Sequence, residues 1–355
     1  MTTATMQNDV KPILSVRNLK TSFFTDEGVV RAVDGASFDV HLGQTLGIVG
    51  ESGCGKSVTA LSILGIVPRP GRIVEGEILL RREGENGQSE EVPLTSLGDS
   101  SSEMRSIRGA EIALVFQEPM TSLSPVHTIG NQIMGAARLH RKLTKQEASE
   151  LAVELLSLVG IPRAEGAIDA YPFQLSGGLR QRALIALALS CEPRLLIADE
   201  PTTALDVTTQ AQILDLLRSL QEQNGMAIML ITHDMGVIAE MADQVVVMYL
   251  GRVVEEGPVD AVFGDSKHPY TQSLLRSIPS IHSTPKVQLP TITGTIPHPY
   301  NRPAGCPFHP RCPDVIEGVC DRHEPELHTV GDERQVSCFL YHPHEEQEPE
   351  AGADG

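Results

Sequence analysis

One glycine-rich segment restricts the fold more than any other part of this sequence. Residues 50–57, GESGCGKS, match the pattern G-x-x-x-x-G-K-[ST]. The apolar run TLGIV precedes this segment, and the helical pattern VTALSILG follows it. A strand, a glycine loop and a helix in this order predict a loop whose backbone N–H groups turn inward around phosphate groups, with the helix dipole adding positive potential.

The residue types within the loop predict distinct roles in nucleotide binding. Lys56 would supply a point charge to the β and γ phosphates, and the hydroxyl of Ser57 is placed to ligate Mg²⁺. Cys54 needs no redox role, because its position accepts many small side chains. The residues of the loop predicted to bind ATP are Gly50, Ser52, Gly53, Gly55, Lys56 and Ser57.

Short β-branched runs bounded by glycines alternate with helical patterns along the chain. These runs are ILSVRNL, TLGIVG, IALVFQ, RLLIADE, AIMLITHD and QVVVMYLG. The alternation predicts an α/β fold with a largely parallel, buried sheet. Together with the glycine loop, this pattern resembles the core of a P-loop NTPase (RecA-like). Helical spacing over Gln146 to Val159 and Leu179 to Leu189 predicts an inserted helical subdomain, at about residues 119–189. Arg81 to Ser106, rich in Glu, Gly and Ser, is predicted to be an exposed hairpin and loop.

The composition changes after Gly257, where Pro, His and Cys become frequent. This change predicts a domain boundary near Pro258. KHPYTQSLLRSIP predicts one short helix beyond that boundary. The predicted divisions are a flexible N-terminus, an ATPase domain, a C-terminal extension and an acidic disordered tail, over residues 1–11, 12–258, 259–342 and 343–355.

Composition excludes several classes of function. A formal net charge of −18 repels phosphate backbones, so we expect no nucleic-acid partner. No apolar stretch approaches the roughly 18 residues needed to span a bilayer. The first residues, MTTATMQNDVK, lack the apolar core of a secretory signal, so a cytosolic protein is expected.

Two carboxylates follow another buried run, LLIADE. Acids at the exit of a parallel strand lie at the sheet edge where ligands bind. Asp199 is predicted to hold Mg²⁺ through water, and Glu200 to polarise the attacking water as general base.

The segment LSGGLRQR precedes this carboxylate strand and resembles the LSGGQ signature of the ABC ATPase family. Leu179 departs from the family's Gln, a mild departure because the phosphate contacts expected here come from Ser176, Gly177 and Gly178. Other family motifs follow in order. The resemblance implies that Gln117 senses Mg²⁺ and the γ phosphate, that ALD contains the D-loop Asp206, and that His233 is the switch histidine. It also implies that Phe23, next to Phe24, stacks on adenine.

The closer resemblance is to the ATPases of oligopeptide, dipeptide and nickel importers. It rests on AVDGASFDV, QEPMTSLSP, HPYTQSLLRSIP and the cysteine-bearing end. It implies ATP hydrolysis that powers import, at the cytoplasmic face of the membrane. The implied partners are a paralogous ATPase or a second copy of this chain, two membrane-spanning permease subunits and, indirectly, an extracytoplasmic solute-binding protein.

Three other interpretations are open at this stage. One is a soluble ABC ATPase acting on DNA or ribosomes, although the long heptad insertions or paired ATPase units usual there are absent from this sequence. Another is an exporter ATPase, which the cysteine region opposes. The third is a binding or redox-sensing module without hydrolysis, which Glu200 and His233 oppose.

Four cysteines lie in the Pro-rich end of the chain, with five, seven and seventeen residues between them: Cys306, Cys312, Cys320 and Cys338. This segment has too few apolar residues to form a core of its own, which suggests that a bound metal stabilises it. Close C-x₂₋₄-C pairs typical of zinc are absent, and the family resemblance implies a [4Fe–4S] cluster. A zinc site, in which His309, His323 or His328 replaces a thiolate, and unligated or disulfide-bonded cysteines are the alternatives.

Overall fold

The computed structural model describes residues 11–83, 88–117, 122–203, 205–278, 292–331 and 334–342. The predicted flexible N-terminus, apart from Lys11, and the predicted acidic tail lie outside these residues. The strands are β1 (Leu14–Thr25), β2 (Gly28–Val40), β3 (Thr45–Val49), β4 (Gly71–Glu83), β5 (Ser89–Pro93), β6 (Ile112–Val115), β7 (Leu195–Asp199), β8 (Ala227–Thr232), β9 (Gln244–Tyr249), β10 (Arg252–Pro258), β11 (His328–Thr329) and β12 (Gln335–Val336).

The α-helices of the described residues lie between and after these strands. They are α1 (Lys56–Ile63), α2 (Ser102–Ile107), α3 (Ile129–His140), α4 (Lys145–Leu158), α5 (Ala164–Ala167), α6 (Gly177–Leu189), α7 (Val207–Asn224), α8 (Met235–Met241), α9 (Val259–Gly264) and α10 (Pro269–Arg276). Short 3₁₀ turns span Leu94–Ser96, Pro172–Gln174 and His309–Arg311.

The larger sheet has the strand order β11-β12-β10-β9-β3-β8-β7-β6 within the described residues. Its five strands from β9 to β6 pair in parallel, and β10, β12 and β11 continue the sheet in antiparallel pairing. Every residue of β3, β7 and β8 is buried, as expected for strands covered on both faces. The predicted α/β fold with a largely parallel buried sheet is confirmed.

A second sheet has the order β2-β1-β4-β5, and all its pairs are antiparallel. The prediction that ILSVRNL contributes to the parallel sheet is therefore wrong, because this run forms part of β1 in a separate layer. The predicted hairpin after Arg81 exists as β4 and β5. The helix α2 that follows it was not predicted, and its Met104 is buried rather than exposed.

The helices α3 to α6 form the insertion between β6 and β7, and both helices predicted from periodicity are present. Ile133, Leu156 and Ile185 share one apolar core with Val115 at the edge of the sheet. The insertion is thereby packed against the same sheet that carries the phosphate loop.

The C-terminal extension, predicted to begin near Pro258, joins the large sheet. β12 pairs with β10, and Val336 lies opposite Glu255 in this pair. Tyr270 and Phe308 of the extension pack with Tyr249 of β9, and all three are almost fully buried. Pro258 ends a strand, but the apolar core continues from the ATPase domain into the extension.

Candidate nucleotide-binding site

The phosphate loop connects the end of β3 to the start of α1. Gly55 has a φ of 101°, and a Cβ at this position would lie 2.2 Å from the carbonyl oxygen of Ala32. A Cβ on Gly50 would lie equally close, 2.2 Å, to the carbonyl oxygen of Met248. Because contacts below 3.0 Å force the backbone to move, the pattern glycines are required by the close approach of neighbouring backbone.

Lys56 and Ser57 open helix α1 at the inner side of this loop. Lys56 is buried, and its Nζ donates hydrogen bonds to the carbonyl oxygens of Gly50, at 2.7 Å, and Glu51, at 3.2 Å. Ser57 Oγ donates to Oδ1 of Asp199 at 3.0 Å. Burial raises the pKa of Asp199, and the hydrogen bond from Ser57 opposes that rise. The structure therefore brings together two of the three predicted Mg²⁺ ligands.

The third predicted Mg²⁺ ligand, Gln117, instead belongs to a cluster around Glu200. Gln117 Nε2 donates to Glu200 Oε2 at 2.8 Å, and His233 Nδ1 lies 3.0 Å from Oε1. The hydroxyl of Thr203 also donates to Oε2, at 2.8 Å. Burial pushes the pKa of Glu200 upward, but hydrogen bonds from His233 and Thr203 outweigh burial and hold it below its ordinary value.

Strand order explains why these groups meet. Glu200 follows β7, His233 follows β8 and Gln117 follows β6, and these three parallel strands are neighbours. The carboxyl ends of parallel strands share one edge, where ligands bind. Glu200 itself has a φ of 47°, which is rare for a non-glycine residue and is typical of functional sites.

A cavity of about 700 Å³ lies over this edge. Its lining includes the whole phosphate loop together with Gln117, Glu200 and His233. Thr203, Leu274 and Ile296 also line it, and sequence reasoning missed all three. Thr203 lies three residues after Glu200, a spacing that could have indicated it. The other two come from the C-terminal extension, and no local pattern in the sequence places them here.

Phe23, predicted to stack on adenine, is not among the residues that line this cavity. Its ring lies over Gly71 on the adjacent strand, where an added Cβ would be 2.7 Å from its Cε1. The neighbouring Phe24 is partly exposed, with the guanidinium of Arg72 4.3 Å from its ring centroid.

The predicted signature residues lie away from the cavity of their own chain. Ser176 caps α6, and its Oγ accepts a hydrogen bond from the N–H of Leu179 at 3.4 Å. Gly178 allows close packing, because a Cβ there would lie 2.7 Å from Cγ2 of Thr209. Asp206 caps α7 and accepts from the N–H of Thr209 at 3.0 Å. Its D-loop neighbour Ala204 lies outside the described residues.

All six cysteines are free thiols. In the extension, the N–H of Cys306 donates to the carbonyl oxygen of Cys320 at 2.8 Å. Burial raises the pKa of Cys306 to about 12, and the charges of Cys320, Cys338 and Cys312 add to this rise. Burial likewise raises the pKa of Cys312 to about 11. In the described ranges, however, no group of three or more His, Cys, Asp or Glu side chains is arranged to hold a metal ion. The disulfide alternative is not what the structure shows.

Comparisons with known proteins agree with this architecture. A family model for the ABC transporter matches residues 33–203, and one for the oligopeptide/dipeptide transporter C-terminal region matches residues 254–320. The oligopeptide transport ATP-binding protein AppD of Bacillus subtilis (strain 168) is 49% identical over 93% of this chain and 97% of its own length. The dipeptide transport ATP-binding protein DppD of Haemophilus influenzae is 47% identical over 92% and 94%.

Among solved structures, the dimeric bacterial ABC transporter cassette MJ0796 matches with a TM-score of 0.60 and 27% identity. That match covers 69% of this chain and 98% of the cassette. The chain belongs to the ABC transporter family, among the ATP-binding proteins of the oligopeptide and dipeptide type. Across the residues with described structure, no helix is both long and apolar enough to cross a membrane.

Proposed function

We propose that this chain binds and hydrolyses MgATP at the phosphate loop, and that hydrolysis powers import of peptides or similar small solutes. The observation that carries the proposal is the convergence of Gln117, Thr203 and His233 on Glu200, beside the phosphate loop and within one cavity. The peptide specificity is supported by the relatives, which are named as oligopeptide and dipeptide transport proteins.

The chemistry follows from the positions of these groups. Lys56 and the loop amides bind the phosphates. Ser57, Gln117 and, through water, Asp199 would hold Mg²⁺, which proteins usually bind through one or two carboxylates and substrate phosphates. Glu200 accepts the proton of a water that attacks the γ phosphorus, and ADP and phosphate leave. Gln117 and His233 orient Glu200 and contact the γ phosphate. Phe23 is retained as the proposed adenine contact.

A second ATPase chain completes each site in this proposal. Ser176, Gly177 and Gly178 do not line the cavity of their own chain, so they are available to cover the nucleotide of a partner. The partner is a paralogous ATPase or a second copy of this chain. Asp206, at the start of α7, lies near the contact between the two chains.

The proposed location is the cytoplasmic face of the membrane, beneath two permease subunits fed by an extracytoplasmic solute-binding protein. The segment from Gln117 to Gly130 would contact a permease subunit. Val126, in this segment, is 73% exposed, and Leu139, at the far end of α3, is 79% exposed. A crosslink to a permease subunit from Val126→Cys, but not from the equally exposed Leu139→Cys, would support this docking. Capture of only soluble partners from Val126→Cys contradicts it.

Transport in vesicles tests the whole proposal. The chain is reconstituted with its partner ATPase and the permease subunits, and peptide uptake is measured with the solute-binding protein and ATP. Lys56→Ala should abolish tight MgATP binding and uptake together. ATP hydrolysis stimulated by ribosomes or DNA, and not by the solute-binding protein, would instead favour a soluble ABC ATPase.

For the C-terminal extension, the proposal includes a [4Fe–4S] cluster held by Cys306, Cys312, Cys320 and Cys338, with a structural role. It is supported by the family resemblance of the cysteine-bearing end and by its four free thiols, whose arrangement here is not that of a metal site. Anaerobically purified protein should be brown and contain about four irons and four sulfides per chain. Stoichiometric zinc without sulfide, or a stable metal-free fold with reduced thiols, rejects it.

A further inference from the structure

Two residues of the C-terminal extension hold Glu51, the second residue of the phosphate loop. The backbone N–H of Glu51 donates to the hydroxyl of Tyr270 at 2.9 Å. Arg311 forms a paired contact with the Glu51 carboxylate, with Nη1 2.7 Å from Oε2 and Nη2 3.0 Å from Oε1. The backbone and the side chain of one loop residue are therefore both fixed from outside the ATPase domain.

Tyr270 is itself firmly placed. Its ring packs at 4.7 Å from Tyr249 and 5.3 Å from Phe308, between ring centroids, and it is fully buried. The start of helix α10 is held by the buried carboxylate of Glu255, which accepts from the N–H groups of Lys267 at 2.8 Å and His268 at 3.0 Å. The hydroxyl of Tyr270 therefore has a fixed position relative to the large sheet.

Arg311 is equally constrained, in the 3₁₀ turn just before Cys312. It is 8% exposed, its Nε donates to the carbonyl oxygen of Thr293 at 3.2 Å, and its Nη1 also contacts the hydroxyl of Tyr249 at 3.3 Å. A bidentate arginine–carboxylate pair fixes orientation as well as distance, which a lysine cannot do.

The position of Glu51 controls the rest of the loop. Its carbonyl oxygen accepts from Lys56 Nζ at 3.2 Å and from the N–H of Cys54 at 3.3 Å. A rotation of the peptide at Glu51 would therefore change both the lysine position and the direction of the loop amides. Loops that bind phosphate gain affinity when their donors are already oriented.

We propose that Tyr270 and Arg311 are positioning residues through which the C-terminal extension orients the phosphate loop and sets the affinity for MgATP. The inference rests on the proposed function, that this loop binds MgATP. The chemistry recognised is the triphosphate of the nucleotide, and Tyr270 and Arg311 act on it through Glu51.

Tyr270→Phe is the sharpest test, because it removes one hydroxyl and keeps the ring in its aromatic cluster. The dissociation constant for MgATP, measured on the full-length chain, should rise roughly three- to tenfold, as expected for loss of one neutral hydrogen bond. Tyr341→Phe is the matched control, since it removes a hydroxyl that donates to the Lys267 carbonyl at 3.1 Å within the same extension. The control should bind MgATP as the wild type does.

Arg311→Gln and Glu51→Gln, singly and together, test the ion pair. Each single variant should weaken MgATP binding about tenfold, and the double variant should be no worse than either one, because the two act as a unit. In the assembled transporter KM for ATP should rise while kcat changes less than threefold. Arg311→Lys should recover only part of the affinity, and Arg334→Gln, an arginine of the extension that contacts Ala261 and Asp265 instead of the loop, should leave it unchanged.

Wild-type affinity in Tyr270→Phe overturns the inference, as does an equal loss in Tyr341→Phe, which would indicate a general effect on folding. Additive losses in the double variant would also overturn the coupling of Arg311 to Glu51. If the proposed function itself is wrong, Lys56→Ala binds MgATP as tightly as the wild type. That result distinguishes failure of the proposed function from failure of the inference about Tyr270 and Arg311. If Arg311→Gln does not fold, the tyrosine pair of variants still decides the question.

Discussion

The imidazole Nδ1 of His233 lies 3.0 Å from Oε1 of Glu200, between the carboxyl ends of neighbouring strands β8 and β7. The same carboxylate accepts hydrogen bonds from Gln117 and Thr203 on its other oxygen. Donors on both oxygens stabilise the ionised form, which explains why the pKa of Glu200 is low despite burial. An ionised carboxylate is the form that can accept a proton from water.

Glu200→Gln should remove the base and preserve nucleotide binding, since glutamine keeps the size and the hydrogen-bonding oxygen. ATP hydrolysis in the assembled transporter should fall by about 10²–10⁴-fold, the usual contribution of a general base. The variant should trap a closed ATPase dimer, detectable by size-exclusion chromatography with MgATP. Turnover at the wild-type rate would show that Glu200 is not the base.

Thr203→Val tests a residue that the sequence did not indicate. Valine keeps the shape but removes the hydrogen bond to Glu200, so the pKa of Glu200 should rise. We expect kcat to fall roughly three- to tenfold with little change in MgATP affinity. The acidic limb of the pH–rate profile should move to higher pH, a shift that a purely structural defect would not produce.

Part of the site is encoded by residues that are close together in the sequence. The family resemblance, rather than a local rule, indicated His233 after β8. The phosphate loop and the carboxylates after β7 could be predicted from local patterns, because each follows an apolar strand within a few residues. These predictions needed only the short-range rules for strands, loops and helix starts.

Contacts between distant segments could not be predicted in the same way. Glu51 and Arg311 are 260 residues apart, and neither has a neighbour in sequence that indicates the other. Leu274 and Ile296 reach the cavity through the packing of the extension. The run that became β1 resembled the parallel strands in composition, and only its tertiary pairing with β2 and β4 placed it in another sheet.

Ser176→Ala separates the signature's helix cap from its proposed contact with the partner chain. Loss of an N-cap costs about 1 kcal/mol of stability, so the isolated chain should be slightly less stable but bind MgATP normally. Hydrolysis by the assembled transporter should fall about tenfold or more. Ser101→Ala is the matched control, because Ser101 caps α2 in the same way, accepting from the N–H of Met104 at 3.1 Å. An equal loss of hydrolysis in both variants would argue that capping alone is responsible.

Glu256 provides a prediction about stability and pH. Its pKa is raised to about 7, chiefly by burial and also by the charge of Asp39, and Arg17 opposes the rise. The ordinary value is 4.5, so between about pH 4.5 and 7 the folded chain binds more protons than the unfolded chain. Folding stability therefore falls as pH rises through this window, and the loss is complete above it.

Glu256→Gln removes this titration and keeps a neutral side chain of similar size. The free energy of unfolding of the variant, relative to the wild type, should rise by about 1–3 kcal/mol between pH 5 and pH 8, measured by urea denaturation. Glu222→Gln, on the exposed face of α7, is the control and should show no such relative change. If the free energies of unfolding of Glu256→Gln and the wild type differ by a constant amount across this range, Glu256 has its ordinary pKa in the folded chain.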